Sequence, residues 1–296
     1  MRIVVTGGTG FIGRHLVQTL AQLNHEVHTV SRRAAPIGQQ AIHHSCDVES
    51  VEALRVAQNA DVLVHLAGQS DASASFADPA LFARVNSSGT LNMLEAARRT
   101  DALFVLASSQ RVYSPKHGLL REDDPFAPSD PYGYTKLIAE KWVEMYRKVY
   151  GLRTVVLRFF SVYGPGQSVG SGSSGVVPIY MHEALAGKPL LVNNSNLRDF
   201  TYVTDVVKGI SLCIDKPAAL GQAFNIATGV GTSVRDLAFL IKEITGSQSE
   251  IRVLGDSTDE CLVANIDKAR DVLQYRPKVS LRTGLEQYYG SLRNSS

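Results

Sequence analysis

The chain has 296 residues, 44% of them hydrophobic and 20% charged, which suits a globular protein of one large domain, or a domain plus a lobe, with no need of disulfide staples. A net charge of +2, with the 30 basic residues scattered along the chain, argues against nucleic acid as a partner. The three cysteines (Cys46, Cys213, Cys261) are far apart, and the eight histidines contain no His-x-x-x-His pair, so no disulfide framework and no metal site is expected.

In chain order, residues 1–6 run straight into glycines and are too short for a signal peptide. No run is apolar for long enough to span a bilayer, so a cytoplasmic protein without a membrane partner is expected. Ile3-Val4-Val5 reads as a buried strand. Residues 11–23 place Ile12, Leu16, Val17, Leu20 and Leu23 at helical spacing. A second strand follows at 27–30. His43 and His44 are adjacent and point to opposite faces of a strand, so both read as structural. Further strands are expected at 62–66, 103–106 and 154–160, with helices at 51–58, 81–99 and 132–150. Strands alternating with helices predict right-handed βαβ units, hence an α/β protein with a doubly wound parallel sheet of the Rossmann type. In such sheets ligands bind at the carboxyl ends of the strands. Residues 164–175 are rich in Gly and Ser and read equally as a flexible connection or as a mobile cover.

The segment Thr6-Gly-Gly-Thr-Gly-Phe-Ile-Gly13 joins the first strand to the first helix. Its glycines Gly7, Gly10 and Gly13 meet two needs: a turn that tolerates positive φ, and close approach of a pyrophosphate to the backbone. The helix start at Phe11 and Ile12 offers free N–H groups and partial positive charge to the anion. Placed at the first strand-to-helix junction, the pattern points to a dinucleotide. The second strand ends in Ser31-Arg32-Arg33, where an NAD site usually has an acidic residue for the ribose; arginine there suits a 2′-phosphate and favours NADP over NAD. Asp47 could hold the adenine amino group and Val48 could pack on the ring.

Together with the glycine turn, four later segments carry a family resemblance: His65-Leu-Ala-Gly68, the run from Asn86 to Ala96, Ser108-Ser-Gln-Arg-Val-Tyr113 and Asp130-Pro-Tyr-Gly-Tyr-Thr-Lys136. With Arg158-Phe-Phe-Ser-Val-Tyr-Gly-Pro-Gly-Gln167 and Arg198-Asp-Phe-Thr-Tyr-Val-Thr-Asp205, these resemble the extended short-chain dehydrogenases/reductases, specifically the NAD-dependent epimerase/dehydratase family, over nearly the whole chain. The resemblance implies that residues 1–165 bind NAD(P) and that 166–296 form a smaller substrate-binding lobe, part of 199–228 returning to the first domain. It implies that Leu66, Ala67, Gly68, Asn86 and Ser108 border the cofactor. Ser109 is implied as the active-site hydroxyl, with Gln110, Ser161, Arg198 and Phe200 on the substrate. Arg198 would contact the diphosphate, a role its planar guanidinium suits, or serve a structural salt bridge. A homodimer through the helices near 81–99 and 132–150 is implied as well.

Of the 11 tyrosines, only Tyr132 has a lysine four positions later, so Lys136 shares its helix face. A free phenol, with pKa about 10, is a poor base at neutral pH. A neighbouring ammonium and a positive nicotinamide ring would each favour the phenolate. Tyr132 could then take a proton from a sugar hydroxyl while hydride leaves the same carbon. Asp130 would cap that helix and Pro131 would open it. Tyr134, two residues on, faces elsewhere.

The sequence departs from the family pattern at Ser161 (usually Asn), at residues 192–196 and at Val253 (usually Arg before Gly-Asp). Gln110-Arg111 stands where 4,6-dehydratases carry Asp-Glu, and the decarboxylases' Glu is also missing, which argues against both reactions. The expectation is a UDP-hexose 4-epimerase working through a transient 4-keto sugar nucleotide. The alternative is an NADPH-dependent 4-keto-sugar-nucleotide reductase, favoured by Arg32 and Arg33. A non-catalytic NADP-sensing protein ranks last, since it has no need of Ser109, Tyr132 and Lys136 together.

Overall fold

The computed structural model describes residues 1–33, 41–114, 118–167, 175–194, 196–255 and 261–293. The middle of the Gly/Ser run (168–174) and Asp256 lie outside them. The strands are β1 (Arg2–Thr6), β2 (Glu26–Ser31), β3 (Ile42–Ser45), β4 (Val62–His65), β5 (Leu103–Ser109), β6 (Thr154–Phe159) and β7 (Ser161–Tyr163). They continue as β8 (Leu190–Val192), β9 (Leu197–Arg198), β10 (Phe200–Tyr202), β11 (Gln222–Ile226), β12 (Thr232–Ser233), β13 (Ile251–Val253) and β14 (Cys261–Leu262). The helices are α1 (Phe11–Gln22), α2 (Val51–Ala57), α3 (Ala72–Ala77), α4 (Pro79–Phe82), α5 (Gly89–Thr100) and α6 (Pro131–Tyr150). After them come α7 (Val176–Leu185), α8 (Val203–Ile214), α9 (Val234–Thr245), α10 (Asp267–Leu273) and α11 (Leu281–Arg293).

Seven strands form one sheet in the order β3-β2-β1-β4-β5-β6-β11, with every neighbouring pair parallel. A parallel sheet must be covered on both faces, and its inner strands are accordingly unbroken apolar runs: Ile3, Val4 and Val5 are all fully buried. Ile3 and Val5 face α1 and α8, where Leu16, Val17 and Leu20 meet Val206, Val207 and Ile210. Val4, Leu63 and Phe104 face the other way, toward Ala53 and Val56 of α2, Met93 and Leu94 of α5, and Ala139 and Val143 of α6. Burial of each such leucine or valine contributes about 1.5–3 kcal/mol. Strand order reverses between β1 and β4, which opens the crevice where doubly wound sheets take their ligands.

A separate core lies among the later elements, where Tyr163, Tyr180, Met181, Leu190, Phe200, Leu237, Ile241 and Leu285 pack together. The short pairs β7/β10, β8/β13 and the trio β12-β9-β14 frame it. The helix expected over 81–99 is not continuous. α4 runs into a π-helical segment, Ala83–Ser88, before α5 begins, and Val85, Asn86 and Ser87 turn inward there. Such wide turns concentrate at functional sites.

Candidate active site

The glycine turn forms as the sequence requires. Gly7 has φ +70°, and its N–H donates to the Val30 carbonyl at 2.8 Å. The Gly10 N–H donates back to the Gly7 carbonyl at 2.9 Å. A Cβ on Gly7 would lie 2.8 Å from the Ala67 nitrogen, and one on Gly13 would lie 2.1 Å from the Gly7 oxygen. α1 begins without a side-chain cap and with no acidic residue in its first turn. A helix start left so is suited to a phosphate, so the residues present fit a dinucleotide. At the end of β2, the Ser31 Oγ accepts the Thr9 N–H at 3.3 Å, while Arg32 and Arg33 are exposed. Asp47 accepts the Glu49 N–H at 3.1 Å, and Val48 is buried against Gly89.

At the end of β4, His65 is buried and tied on both sides. The Ala67 N–H donates to the Thr6 Oγ1 at 3.2 Å, and the Thr6 hydroxyl donates to His65 Nδ1 at 2.8 Å. The Thr90 hydroxyl donates to the Asn86 carbonyl at 2.6 Å, so His65 Nε2 must donate to Thr90 Oγ1, 3.1 Å away. One neutral tautomer satisfies the whole chain. Burial, aided by the nearby Lys136, pushes the His65 pKa down to about 3.

Asn86, expected to border the cofactor, is engaged within the protein. Its Oδ1 accepts the Gln69 N–H at 2.8 Å, and its Nδ2 donates to the Gln69 carbonyl and to Thr135 Oγ1, both at 3.0 Å. The π-helical segment therefore braces the loop after β4 against α6. Gly68 fits this brace because a Cβ there would come within 2.9 Å of Asn86 Oδ1 and 3.4 Å of Lys136 Nζ.

α6 opens as predicted: Asp130 accepts the Gly133 N–H at 2.7 Å and Pro131 holds the first helical position. Ser75 of α3 accepts the Tyr132 N–H at 3.2 Å. Gly133 allows the turn Gln110–Val112 to come close, since a Cβ there would be 2.4 Å from the Arg111 carbonyl oxygen. These contacts bring the end of β5 against the start of α6. The Ser109 hydroxyl faces the Tyr132 phenol and helps to lower its pKa, and the Ser109 Oγ accepts the Arg111 N–H at 3.2 Å.

The electrostatics differ from the sequence reading. Burial holds the Tyr132 phenol above its ordinary value, and the downward pulls come from the Ser109 hydroxyl and the Arg111 charge, not from Lys136. Lys136 instead donates from Nζ to the Ala107 carbonyl at 2.9 Å. Its amine is itself buried, which lowers its pKa to about 8, while Glu140 one turn on pulls it back up. Sequence spacing gives the shared helix face but not the carbonyl that claims the ammonium.

Behind Ser109 lies a buried ionic cluster that sequence reasoning did not anticipate. The Ser108 hydroxyl donates to Glu140 Oε1 at 2.5 Å. Arg158 of β6 donates to both oxygens of Glu140, at 3.0 Å from Nε and 2.7 Å from Nη2. From Nη1, Arg158 also donates to the Tyr113 hydroxyl at 2.8 Å and to the Glu122 carbonyl at 2.9 Å. Tyr113 in turn donates to Asn225 Oδ1 of β11 at 2.6 Å. The Glu140 ion pair holds Arg158 charged despite burial. Ser108, expected beside the cofactor, thus turns its hydroxyl into the protein interior. The one sequence signal was Glu140 four residues after Lys136, on the same face of the helix.

Two residues expected on the substrate side come together: Gln110 Nε2 donates to Ser161 Oγ at 3.5 Å, and Gln110 Oε1 is buried with no partner among the described residues. Arg198 lies in β9, half-buried between Thr232 and Leu262. Phe200 follows in β10. It is 4% exposed within the later core, because Asp199 beside it is locked by the N–H groups of Thr228 and Gly229 at 2.9 and 2.8 Å. Val253, at the departure from the family's Arg, is 43% exposed in β13.

A doubly wound sheet with a glycine cradle at its switch point, and a Ser–Tyr pair backed by a helical lysine, is the arrangement of a dinucleotide-dependent short-chain dehydrogenase/reductase. Residues 3–227 match the model of the NAD dependent epimerase/dehydratase family, and the chain belongs to that family. It is 33% identical to the UDP-glucose 4-epimerase of Mycolicibacterium smegmatis, with 100% of each chain covered. Among solved structures it is similar to the UDP-glucose 4-epimerase of Thermotoga maritima with UDP-glucose (TM-score 0.93, 31% identity, 100% of this chain and 99% of that one). It is also similar to the UDP-glucuronic acid 4-epimerase of Bacillus cereus in complex with UDP-glucuronic acid and NAD (TM-score 0.91, 29% identity, 100% of each chain). Among the described residues, no helix is long and apolar enough to cross a membrane and no cluster of side chains could hold a metal ion.

Proposed function

We propose that this chain is an NAD(P)-dependent UDP-hexose 4-epimerase that inverts C4 through a transient 4-keto sugar nucleotide. The observation that carries the reading is the Ser109 hydroxyl facing the Tyr132 phenol, with Lys136 on the same helix, at the carboxyl end of the sheet beside the glycine cradle. The relatives that act on UDP-sugars support the substrate class.

Gly7, Gly10, Gly13 and the start of α1 would hold the diphosphate of the dinucleotide, and Ser31, Arg32 and Arg33 its adenosine end. When bound, the dinucleotide supplies a hydride acceptor whose oxidised ring is positively charged. Tyr132 is the general base for the C4 hydroxyl proton and returns it once the ketone has turned its other face. Ser109 donates to the phenol oxygen, which favours the phenolate against the upward push of burial. The Gln110–Ser161 pair sits on the sugar side, and Arg198 offers a planar cation to the substrate diphosphate.

The solved relative from Bacillus cereus carries NAD. For this chain we propose a preference for NADP, because the end of β2 presents two exposed arginines where an acidic residue would serve a ribose hydroxyl. The same arginines favour the second reading, a reductase of 4-keto-sugar nucleotides that consumes NADPH. Incubation with UDP-glucose or UDP-galactose separates the two. Interconversion with constant absorbance of added NADPH supports the epimerase; stoichiometric loss of NADPH with a 4-keto substrate supports the reductase. Tyr132→Phe with its folding intact should lose about 10²–10⁴-fold in kcat. A homodimer through α5 and α6 belongs to the same proposal: Tyr134 and Ile138, one turn apart on α6, are 55% and 44% exposed, and light scattering reads the mass directly.

A further inference from the structure

We propose that Glu140, clamped by Arg158, is a positioning residue for this centre: it ties the end of β5 to α6 through Ser108 and places a negative charge behind the Lys136 ammonium. The geometry has three parts. First, Ser108 donates to Glu140 at 2.5 Å, and Ser108 immediately precedes Ser109, the partner of Tyr132. Second, Glu140 stands one helical turn beyond Lys136 and two beyond Tyr132, so one face of α6 carries all three. Third, Arg158 grips both carboxylate oxygens, and is itself fixed by Tyr113 and by the Glu122 carbonyl, so Glu140 cannot swing away. Glu140 and Arg158 are 8% and 3% exposed.

A buried ion pair alone is a weak source of stability, because desolvation offsets most of the attraction. Its placement gives it another use. Lys136 is buried, and burial drives the amine toward its neutral form. The other groups around it are the neutral His65 from β4, the Ala107 carbonyl from β5, the Asn86 amide from the π-helical segment and the Tyr132 phenol on its own helix. None of these carries negative charge at neutral pH, and Arg158 on β6 is a cation. Glu140 is the anion acting on the ammonium, and it raises the pKa that burial lowers. A neutral lysine would still donate to Ala107, but it would no longer offer positive charge to an anionic ribose–phosphate nearby.

Two measurements test this, and the first is independent of the proposed reaction. With ¹³C-labelled lysine, the Cε signal of Lys136 is assigned through Lys136→Met and titrated in the wild-type protein and in Glu140→Gln. The Lys136 titration should move to lower pH by about one unit or more in the variant, as expected for removal of a unit charge one helical turn away. An unmoved titration overturns the electrostatic role. Should Glu140→Gln fail to fold, Glu140→Gln/Arg158→Met removes both charges; the titration should still move to lower pH, by less because a cation is lost as well, and a titration that stays put or rises overturns the role. The second measurement is kinetic and rests on the epimerase reading. Ser108→Ala leaves the Glu140 charge in place, so it should lower kcat by about tenfold with KM and the Lys136 titration unchanged, through loosened placement of Ser109. Unchanged kcat overturns the tether. A wild-type protein inactive on UDP-sugars would count against the proposed function and leave the titration result standing.

Discussion

Gly13→Ala tests the cradle on which the reading depends. The added methyl would lie 2.1 Å from the Gly7 carbonyl oxygen, and its other near neighbours, Gly8 Cα and the Gly7 carbonyl carbon, are backbone too, at 2.7 and 2.9 Å. No flexible side chain can give way, so the turn must move by about 1 Å to restore ordinary contact, and overpacking of this kind costs about 1–3 kcal/mol. A displacement of that size also misplaces the N–H groups at the start of α1 and should weaken dinucleotide binding by about 100-fold. The assay is thermal unfolding with and without NADP, at a concentration about 100 times the wild-type Kd. There the ligand should stabilise the wild-type protein by about 2.7 kcal/mol and the variant by only about 0.4 kcal/mol. A variant with a lowered unliganded Tm but an undiminished ligand-induced rise would refute the argument, since the turn would then be structural and the dinucleotide held elsewhere.

Replacing Arg32 and Arg33 with serine should weaken NADP by about tenfold or more while leaving NAD within about twofold, read by the same thermal shifts; equal loss for both nucleotides would mean the arginines do not see the 2′-phosphate. Asp130→Ala removes the cap of α6 and the 3.3 Å partner of Arg111, and should lower stability by about 1–2 kcal/mol in urea unfolding. His65 gives a pH signature. Its folded pKa of about 3 lies below its ordinary 6.5, so the unfolded chain binds the extra proton between those values. Stability should therefore fall as pH drops through that window, by roughly 1.4 kcal/mol per pH unit from this group, and His65→Gln should flatten the slope measured by Tm. Lys136, lowered to about 8 from 10.5, acts over the alkaline range: its penalty is complete below pH 8 and is relieved toward pH 10.5, so stability rises with pH there.

Much of the frame was legible because local and global signals agree. The runs at Ile3–Val5, 62–64 and 103–106 are apolar without alternation, which only a strand covered on both faces tolerates. The glycine turn was legible because steric need fixes it residue by residue. What escaped reading depends on distance in sequence. The π-helical stretch at Ala83–Ser88 keeps the apolar spacing of an ordinary helix and is set by Asn86 reaching Gln69 and Thr135. The pairing of Glu140 with Arg158 has no signature in spacing, because β6 and α6 bring the two together only in the fold. Phe200 was implied by the resemblance alone, and its place in the later core depends on contacts distant in sequence. For the phenol, spacing gives proximity to Lys136, but which oxygen receives the ammonium depends on the end of β5.

The edge strand β11 arrives late. β6 ends at Phe159, and its outer neighbour is supplied only at Gln222–Ile226, after α8 has laid Val206, Val207 and Ile210 against α1. A ribosome must therefore deliver more than two-thirds of the chain before the nucleotide-binding sheet is closed, and until then β6 presents an open row of donors and acceptors with half of its helical cover missing. The lobe cannot be excised or exchanged as a cassette at residue 165. Any chimera that varies sugar choice must keep the returning stretch from Val203 to Ile226 with its own sheet, and fragments ending before it should aggregate.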